Sequence, residues 1–526
     1  NGGPAAVRDA FGGNTPTGEQ NAIIDTFRRG DDMVIAALAG TGKTATLRGI
    51  SRLEAAARPQ RNGIYLAFNR SVADEARAEF PQNVTTSTAH ALAVRNLRST
   101  PQGALLAKLD GGRSTFRDMG SLIDARAVTI RTPDGARTFA PYPVTRMALA
   151  TVEKFCTTMD TRITARHVPP QLGVDDPDAR AELAAHIVPR AQAAWAAIRD
   201  PHTWTIKFTP SHVLKLWADM HPRIGREGDF LMLDEAQDAS PLIASIVDDQ
   251  THMQRVRVGD TNQSIYRFTG AVDAMSRIEG ATLLPLTKSW RFGPAIADAG
   301  NWYLKELGTN MRVRGNETIG SRLALGERDV DAVLCRTNGA ALAEVIGLQQ
   351  AGRKTALVGD IQAATRFCES AELLKQGASP RDADLAAFTT WGELQDYVEN
   401  MPGASDLKTY VELVDTYGLD TVRAAIGGLV DTRRAESIAS TAHKAKGLEF
   451  PRVRINHEWT CDPDEHNDPA ALRDERMLVY VALTRAKETL DPGCLLPPTV
   501  VQQINRRHGV HGAEAGMPAP LAGQLL

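Results

Sequence analysis

Short apolar runs separated by amphipathic stretches set the pattern of this chain. MVIAAL (33–38), IYLAF (64–68), FLML (230–233) and VRVG (256–259) read as buried parallel strands, and their alternation with amphipathic segments predicts an α/β domain. Between Arg98 and about Ile206 the alternation stops. There ARAELAAHIVPRAQAAWAAI reads as helix interrupted by Pro189, among Gly/Pro-rich turns, so a mostly helical inserted domain is expected. A second α/β pattern starts near Leu283, passes through AVLCRT (332–337) and KTALVG (354–359), and resumes at SIAST (437–441) after another helical insertion, about 361–436. The tail after Pro497 is rich in Gly, Pro and Ala without an apolar period, and is expected to be loosely ordered.

Length and composition narrow this picture only a little. A chain of 526 residues predicts several domains at roughly 150 residues each. With 43% hydrophobic and 23% charged residues it can bury large cores, which excludes disordered and fibrous classes. Lys and Arg number 60 against 63 Asp and Glu, so bulk charge does not point to nucleic acid and any basic surface must be local. Cys156, Cys335, Cys368, Cys461 and Cys494 are scattered and never form CxxC, against a disulfide framework, zinc ribbon or iron–sulfur cluster. His457, Cys461 and His466 share an acidic loop, but their spacing fits no usual zinc site. No apolar stretch approaches the roughly 18 residues of a membrane span, and no secretory signal opens the chain, so an intracellular, cytoplasmic protein without a membrane partner is expected.

The first run leads into Ala37-Leu38-Ala39-Gly40-Thr41-Gly42-Lys43-Thr44, with Ala37 where the usual phosphate-loop pattern has its first glycine. Gly40 and Gly42 let backbone N–H groups turn onto phosphates, with Thr41 between them; Lys43 suits the β/γ-phosphates and the Thr44 hydroxyl suits Mg²⁺. The bland alternative is a Gly-rich turn without a ligand. FLML then ends in Asp234-Glu235-Ala236-Gln237-Asp238, which places carboxylates at a strand's C-terminal end, where α/β sheets bind ligands. Asp234 can anchor Mg²⁺ and Glu235 can orient and deprotonate a water; a solvated acidic helix start is the alternative. In GDTNQSIYRF (259–268), Gln263 can sense a γ-phosphate, while Tyr266 and Phe268 offer faces on which unpaired bases stack, or else fill a core.

These blocks, with TGEQ upstream and LTKSWRFGPAIA, STAHKAKGLEF and ERMLVYVALTRAK downstream, resemble in order and spacing the UvrD/Rep-like superfamily 1 DNA helicases. LAFNRSVADEARAEFP, HVLKLWADMHP and KSWRFG are similar to the F-box DNA helicase branch and to phage or bacterial proteins like it. The F-box itself is missing before Thr17, so no ubiquitin-ligase partner is expected, and a nucleoid-associated protein of bacterial or phage origin is.

The resemblance implies two RecA-like P-loop NTPase domains, parallel sheets flanked by helices, each with a mostly helical insertion. Domain 1A would take 1–97 and 207–284 around insertion 1B (98–206); domain 2A would take 285–360 and 437–526 around insertion 2B (361–436). The cofactors implied are ATP and Mg²⁺. Gln20 would read the adenine, Trp290 would lie near the base, Glu449 would contact the ribose or γ-phosphate region, and Arg291 and Arg485 would reach the γ-phosphate across the interdomain cleft. Phe68, Asn69, Thr88, His90, Tyr266, Phe268, Thr441, His443 and Lys446 would line a strand channel, with buried structural histidines as the alternative for His90 and His443. Two departures stand out. Thr269 replaces a usual Arg, and after Lys487 the segment ETLDPGCLL, with Pro492, is expected at a sheet edge or in a loop. The implied activity is ATP-driven 3′-to-5′ movement along single-stranded DNA with duplex unwinding. Stripping recombinase or replication proteins from the strand, and an ATP-switched DNA-binding module, are the alternatives; single-strand/duplex junctions are the expected substrates.

Overall fold

A computed structural model describes residues 3–510, apart from 112–113, 134, 172–173, 175, 267–274, 276–278, 379, 381–384, 386–387, 389, 401–404, 458 and 461–467. The chain divides into two compact units: Asn1–Ala37 with Gly42–Leu286, and Leu38–Thr41 with Thr287–Leu526.

The first unit is built on a parallel sheet in the order β3-β2-β6-β7-β1-β8. Its strands are β1 (Met33–Ala37), β2 (Gly63–Ala67), β3 (Val84–Thr88), β6 (Phe230–Leu233), β7 (Gln254–Gly259) and β8 (Thr282–Leu286). The apolar runs became central strands because helices cover both sheet faces, so neither face of β2 or β6 tolerates a polar stripe. Parallel pairing also demands crossovers, the first being the helix Lys43–Ala57. The run near Leu283, expected to open the second α/β pattern, instead closes this sheet: β8 pairs with β1 from Met33↔Thr282 to Ala37↔Leu286.

Between β3 and β6 lie a hairpin, β4 (Val128–Thr132) with β5 (Gly135–Phe139), and two packed helices, Pro141–Phe155 and Pro177–Arg199. Pro189 does not interrupt the second of these, which runs through it. Ile187, Ala191, Ala194 and Ile198 are buried on either side of the proline, and that burial offsets the one backbone hydrogen bond Pro cannot donate.

The second unit carries another parallel sheet, ordered β11-β12-β10-β13-β14-β9. These strands are β9 (Arg322–Leu323), β10 (Ala332–Cys335), β11 (Thr355–Val358), β12 (Ser437–Thr441), β13 (Phe450–Ile455) and β14 (Ala486–Asp491). Helices Ile361–Lys375, Trp391–Asn400, Ser405–Tyr417 and Leu419–Gly427 stand between β11 and β12. The segment after Lys487 corrects its expected place at an edge or in a loop, because β14 is paired on both sides, to β13 and to β9. Pro492 falls one residue past the strand, where no ladder bond is asked of it, and buried Asp491 accepts from the N–H groups of Glu327 and Gly493 at 3.0 Å. The tail is also better ordered than expected through the helix Pro498–Arg507, where Val501 and Ile504 are buried and the Asn505 amide bonds both the N–H and the C=O of Leu323. Residues 511–526 lie outside the description. Among the described residues no helix is long and apolar enough to cross a membrane.

Candidate functional site

Strand β1 delivers the phosphate-type loop to the C-terminal end of the first sheet. Gly40 and Gly42 have φ of 71° and 79°, a region costly for other residues, and this aims the chain into the helix Lys43–Ala57. Gly42 is the N-cap of that helix and gives no side-chain hydrogen bond, which suits a helix end meant for an anion. Thr41 is buried, its hydroxyl donating to Leu38 O at 2.7 Å.

Strand β6, two places away in the sheet, delivers the carboxylates. Lys43 Nζ lies 2.5 Å from Glu235 Oε1, and the Thr44 hydroxyl donates to Asp234 Oδ2 at 3.2 Å. Burial pulls the Lys43 pKa down, but the fields of Glu235, Asp234 and Asp260 outweigh it and leave it raised. Asp234 is raised by burial and by repulsion from Glu235, against the pull of Lys43; Asp260 is raised by burial. One ammonium among three carboxylates is a surplus of negative charge in a poorly solvated place, and it fits a divalent cation. Among the described residues no three His, Cys, Asp or Glu side chains form a complete metal cage. Mg²⁺ takes one or two carboxylates with phosphates and water.

Glu235 has φ +49°, the left-handed region, and a non-glycine residue held there costs about 1–3 kcal/mol. The surroundings fix it. Gln237 Nε2 donates to Glu235, Gln237 Oε1 accepts from Asp260 N–H at 3.0 Å, and Gln263 Nε2 donates to Asp260 Oδ2 at 2.7 Å. A chain of polar contacts thus joins Lys43 to Gln263. Gly259 is required for this approach, since a Cβ there would stand 2.1 Å from Gln237 Oε1. Gln20 is buried in a capping box, Oε1 accepting from Thr17 N–H and Nε2 donating to Thr46 Oγ1, both at 3.0 Å.

In the second unit, Arg291, Glu449 and Arg485 come together around Thr484. Arg291 donates to Glu449 Oε2 at 2.8 Å and to Thr484 O at 3.0 Å. Arg485, 2% exposed, donates to Val481 O, Leu448 O and Thr484 Oγ1. Glu449 also meets Lys487 Nζ at 2.7 Å; burial alone would raise its pKa, but Lys487 and Arg291 hold it below the usual carboxylate range. Trp290 is 40% exposed, with Lys288 Nζ 4.5 Å from its ring centre.

The strand residues divide by role. Phe68, 44% exposed, stacks on Tyr266 with ring centres 5.5 Å apart. Asn69 and Thr88 are N-caps, accepting from Val72 N–H at 2.9 Å and Ala91 N–H at 3.1 Å. His90 and Phe68 line a cavity of about 760 Å³ that also reaches Asp234, Glu235, Glu153 and Lys154. Burial lowers the His90 pKa. In the other unit Thr441 is buried at the end of β12, and His443 is pushed down to about 4 by burial and by the charges of Arg336 and Lys446. Phe268, Thr269, Cys461 and His466 lie outside the described residues.

Residues 20–269 match the AAA domain family, and residues 430–491 match the UvrD-like helicase C-terminal domain. F-box DNA helicase protein 1 of Schizosaccharomyces pombe is 27% identical over 90% of this chain and 57% of its own length. F-box DNA helicase 1 of Gallus gallus is 28% identical over 94% of this chain and 50% of its own. These matches support a UvrD-like superfamily 1 helicase near the F-box helicase branch. The chain spans about half the length of these curated relatives. Both of these organisms are eukaryotes, so these two matches lend no support to a bacterial or phage source.

One residue of this site was not singled out from sequence. Tyr65, fully buried on β2, donates its hydroxyl to Asp234 Oδ2 at 2.5 Å. Burial and the Asp234 charge raise its pKa, which keeps the phenol a donor. The signal was available: a tyrosine in a wholly buried strand needs a partner for its hydroxyl.

Proposed function

We propose that the chain is an ATP- and Mg²⁺-dependent DNA helicase that moves 3′ to 5′ along single-stranded DNA and unwinds duplex at single-strand/duplex junctions. The observation that carries this reading is the juxtaposition in the first unit of a Lys43–Glu235–Asp234–Thr44 cluster with a cavity bordered by Phe68 and His90. Lys43 and the helix N-terminus would bind phosphates, Asp234 and Thr44 would hold Mg²⁺, and Glu235 would take the proton of the attacking water. Gln263, reached through Gln237 and Asp260, would couple the nucleotide to the strand on Tyr266. Arg291 and Arg485 would stabilise charge on the γ-phosphate. Such a cycle moves a strand only if ATP and ADP states differ in their contacts.

A second reading, a translocase that strips recombinase or replication proteins and unwinds little, draws on the small helical insertion at 361–436. Strand displacement on 3′-tailed, 5′-tailed and blunt duplexes with ATP tests activity and polarity together. Unwinding of the 3′-tailed duplex alone is expected, and Lys43→Ala should abolish it while sparing single-strand binding. Unwinding retained by Lys43→Ala would contradict the site assignment.

A further inference from the structure

Strand register brings Tyr65 to Asp234. Tyr65 lies opposite Met232 in the parallel β2–β6 pair, and Asp234 lies two residues further along, so alternation puts all three side chains on one sheet face. Asp234 N–H donates to Leu66 O at 3.0 Å, which carries the ladder one step past β6 and fixes the backbone that bears the carboxylate. A diagonal neighbour is beyond most side chains but within reach of an aromatic one. The ring is held from its other side by Phe80, centre to centre 4.7 Å. Both oxygens of Asp234 are thereby pinned: Oδ2 by Tyr65 and Thr44, Oδ1 by the Glu235 N–H at 2.9 Å.

We propose that Tyr65 is a positioning residue for the metal–nucleotide site: its hydroxyl fixes the plane of the Asp234 carboxylate and compensates its desolvated charge, so that Asp234 meets the cation without reorganising. This role rests on the reading of Asp234 as a Mg²⁺ anchor. The phenol's hydrogen bond goes to the Asp234 carboxylate. It acts through Asp234, as groups hydrogen-bonded to metal-binding carboxylates do, and loss of such a partner typically weakens metal affinity about 10- to 100-fold.

The test is Mn²⁺ binding by the full chain in the presence of a non-hydrolysable ATP analogue, followed by the loss of the free-ion electron paramagnetic resonance signal. Tyr65→Phe removes only the hydroxyl and keeps the ring on Phe80. It is expected to weaken Mn²⁺ binding about tenfold or more, leave metal-free nucleotide binding within about twofold, and give ATPase activity that recovers as Mg²⁺ is raised. Phe80→Leu loosens the packing but spares the hydroxyl, and should bind Mn²⁺ as the wild type does. Unchanged Mn²⁺ affinity in Tyr65→Phe, or an equal loss in Phe80→Leu, would overturn the proposal. If the wild-type chain bound no metal–nucleotide at all, the reading of the site would fall, and this role with it.

Discussion

The two units treat charge in opposite ways. In the first, one cation, Lys43, lies within the field of three carboxylates, Asp234, Glu235 and Asp260. In the second, one carboxylate, Glu449, binds Arg291 and Lys487, with Arg485 anchored one residue away on Leu448 O. A surplus of carboxylate suits a divalent cation, and a surplus of guanidinium suits phosphate oxygens. In both units the ion expected to meet a ligand is already neutralised by an internal partner: Lys43 by Glu235 and Arg291 by Glu449. On the proposed reading, ligand binding would be an exchange of partners. Such an exchange would let a nucleotide shift the balance between two sets of contacts, to the extent that it binds one set better than the other.

The largest expected effect comes from the cation-rich unit. Arg291→Lys keeps a charge for Glu449 but loses the planar fork, and an arginine acting on a transferring phosphoryl group contributes about 10³- to 10⁵-fold in rate. We expect kcat for ATP to fall by about 10³ with ATP affinity changed only a few-fold, measured by DNA-stimulated phosphate release. A fall of less than tenfold would return Arg291 to a structural ion pair. The counterpart in the carboxylate-rich unit is Glu235→Gln. It removes the proton acceptor and loosens the partner of Lys43, so kcat should fall by about 10²- to 10⁴-fold while ATP binds at least as well. Weaker ATP binding in an equilibrium titration would show that Glu235 organises the loop rather than competing with phosphate.

How much of this was legible beforehand depends on what each residue answers to. The runs around Met33–Ala37 and Phe230–Leu233 could be read as strands because both of their faces are buried and the whole segment must be apolar. Strand β14 was misread because its ladder position is held by polar groups satisfied at a distance, Lys487 by Glu449 and Asp491 by backbone N–H groups from 327 and 493. Pro189 and the helix Pro498–Arg507 were misjudged for a related reason, since local propensity lost to tertiary burial. At the site, spacing pointed to Lys43, Thr44, Asp234 and Glu235. It did not reveal the left-handed backbone at Glu235 or the diagonal reach of Tyr65, which exist only once β2 and β6 are in register.

A smaller effect separates the two half-buried histidines. Burial lowers the pKa of both, and His443 is also pushed down by the cations Arg336 and Lys446. An unfolded imidazole titrates near 6.5 and folded His443 near 4, so between those values the unfolded chain binds the extra proton. Stability of the second unit should be level above pH 6.5 and decline as pH falls toward 4, by about 2 kcal/mol at pH 5. Urea denaturation at pH 7 and pH 5 should show this slope in wild type and lose it in His443→Gln. An unchanged slope would place the titration elsewhere.

The smallest effect is the most discriminating for the second unit. Glu449 is 41% exposed at its side chain, so its bonds to Arg291 and Lys487 are screened, and pairs of this kind contribute about 0.2–1 kcal/mol. Glu449→Gln keeps an oxygen that Arg291 can use but deletes the negative charge that competes with phosphate for it. If Glu449 serves only as the resting partner of Arg291, ATP should bind tighter by up to roughly fivefold, the full value of that pair. If instead its carboxylate contacts the ribose, the same change removes a charge-assisted acceptor, and ATP should bind more weakly. Because Arg291 donates to Glu449 Oε2 at 2.8 Å, we expect the first outcome. Calorimetric titration with ATP, compared with a triphosphate lacking the ribose hydroxyls, separates the two by the sign of the change alone.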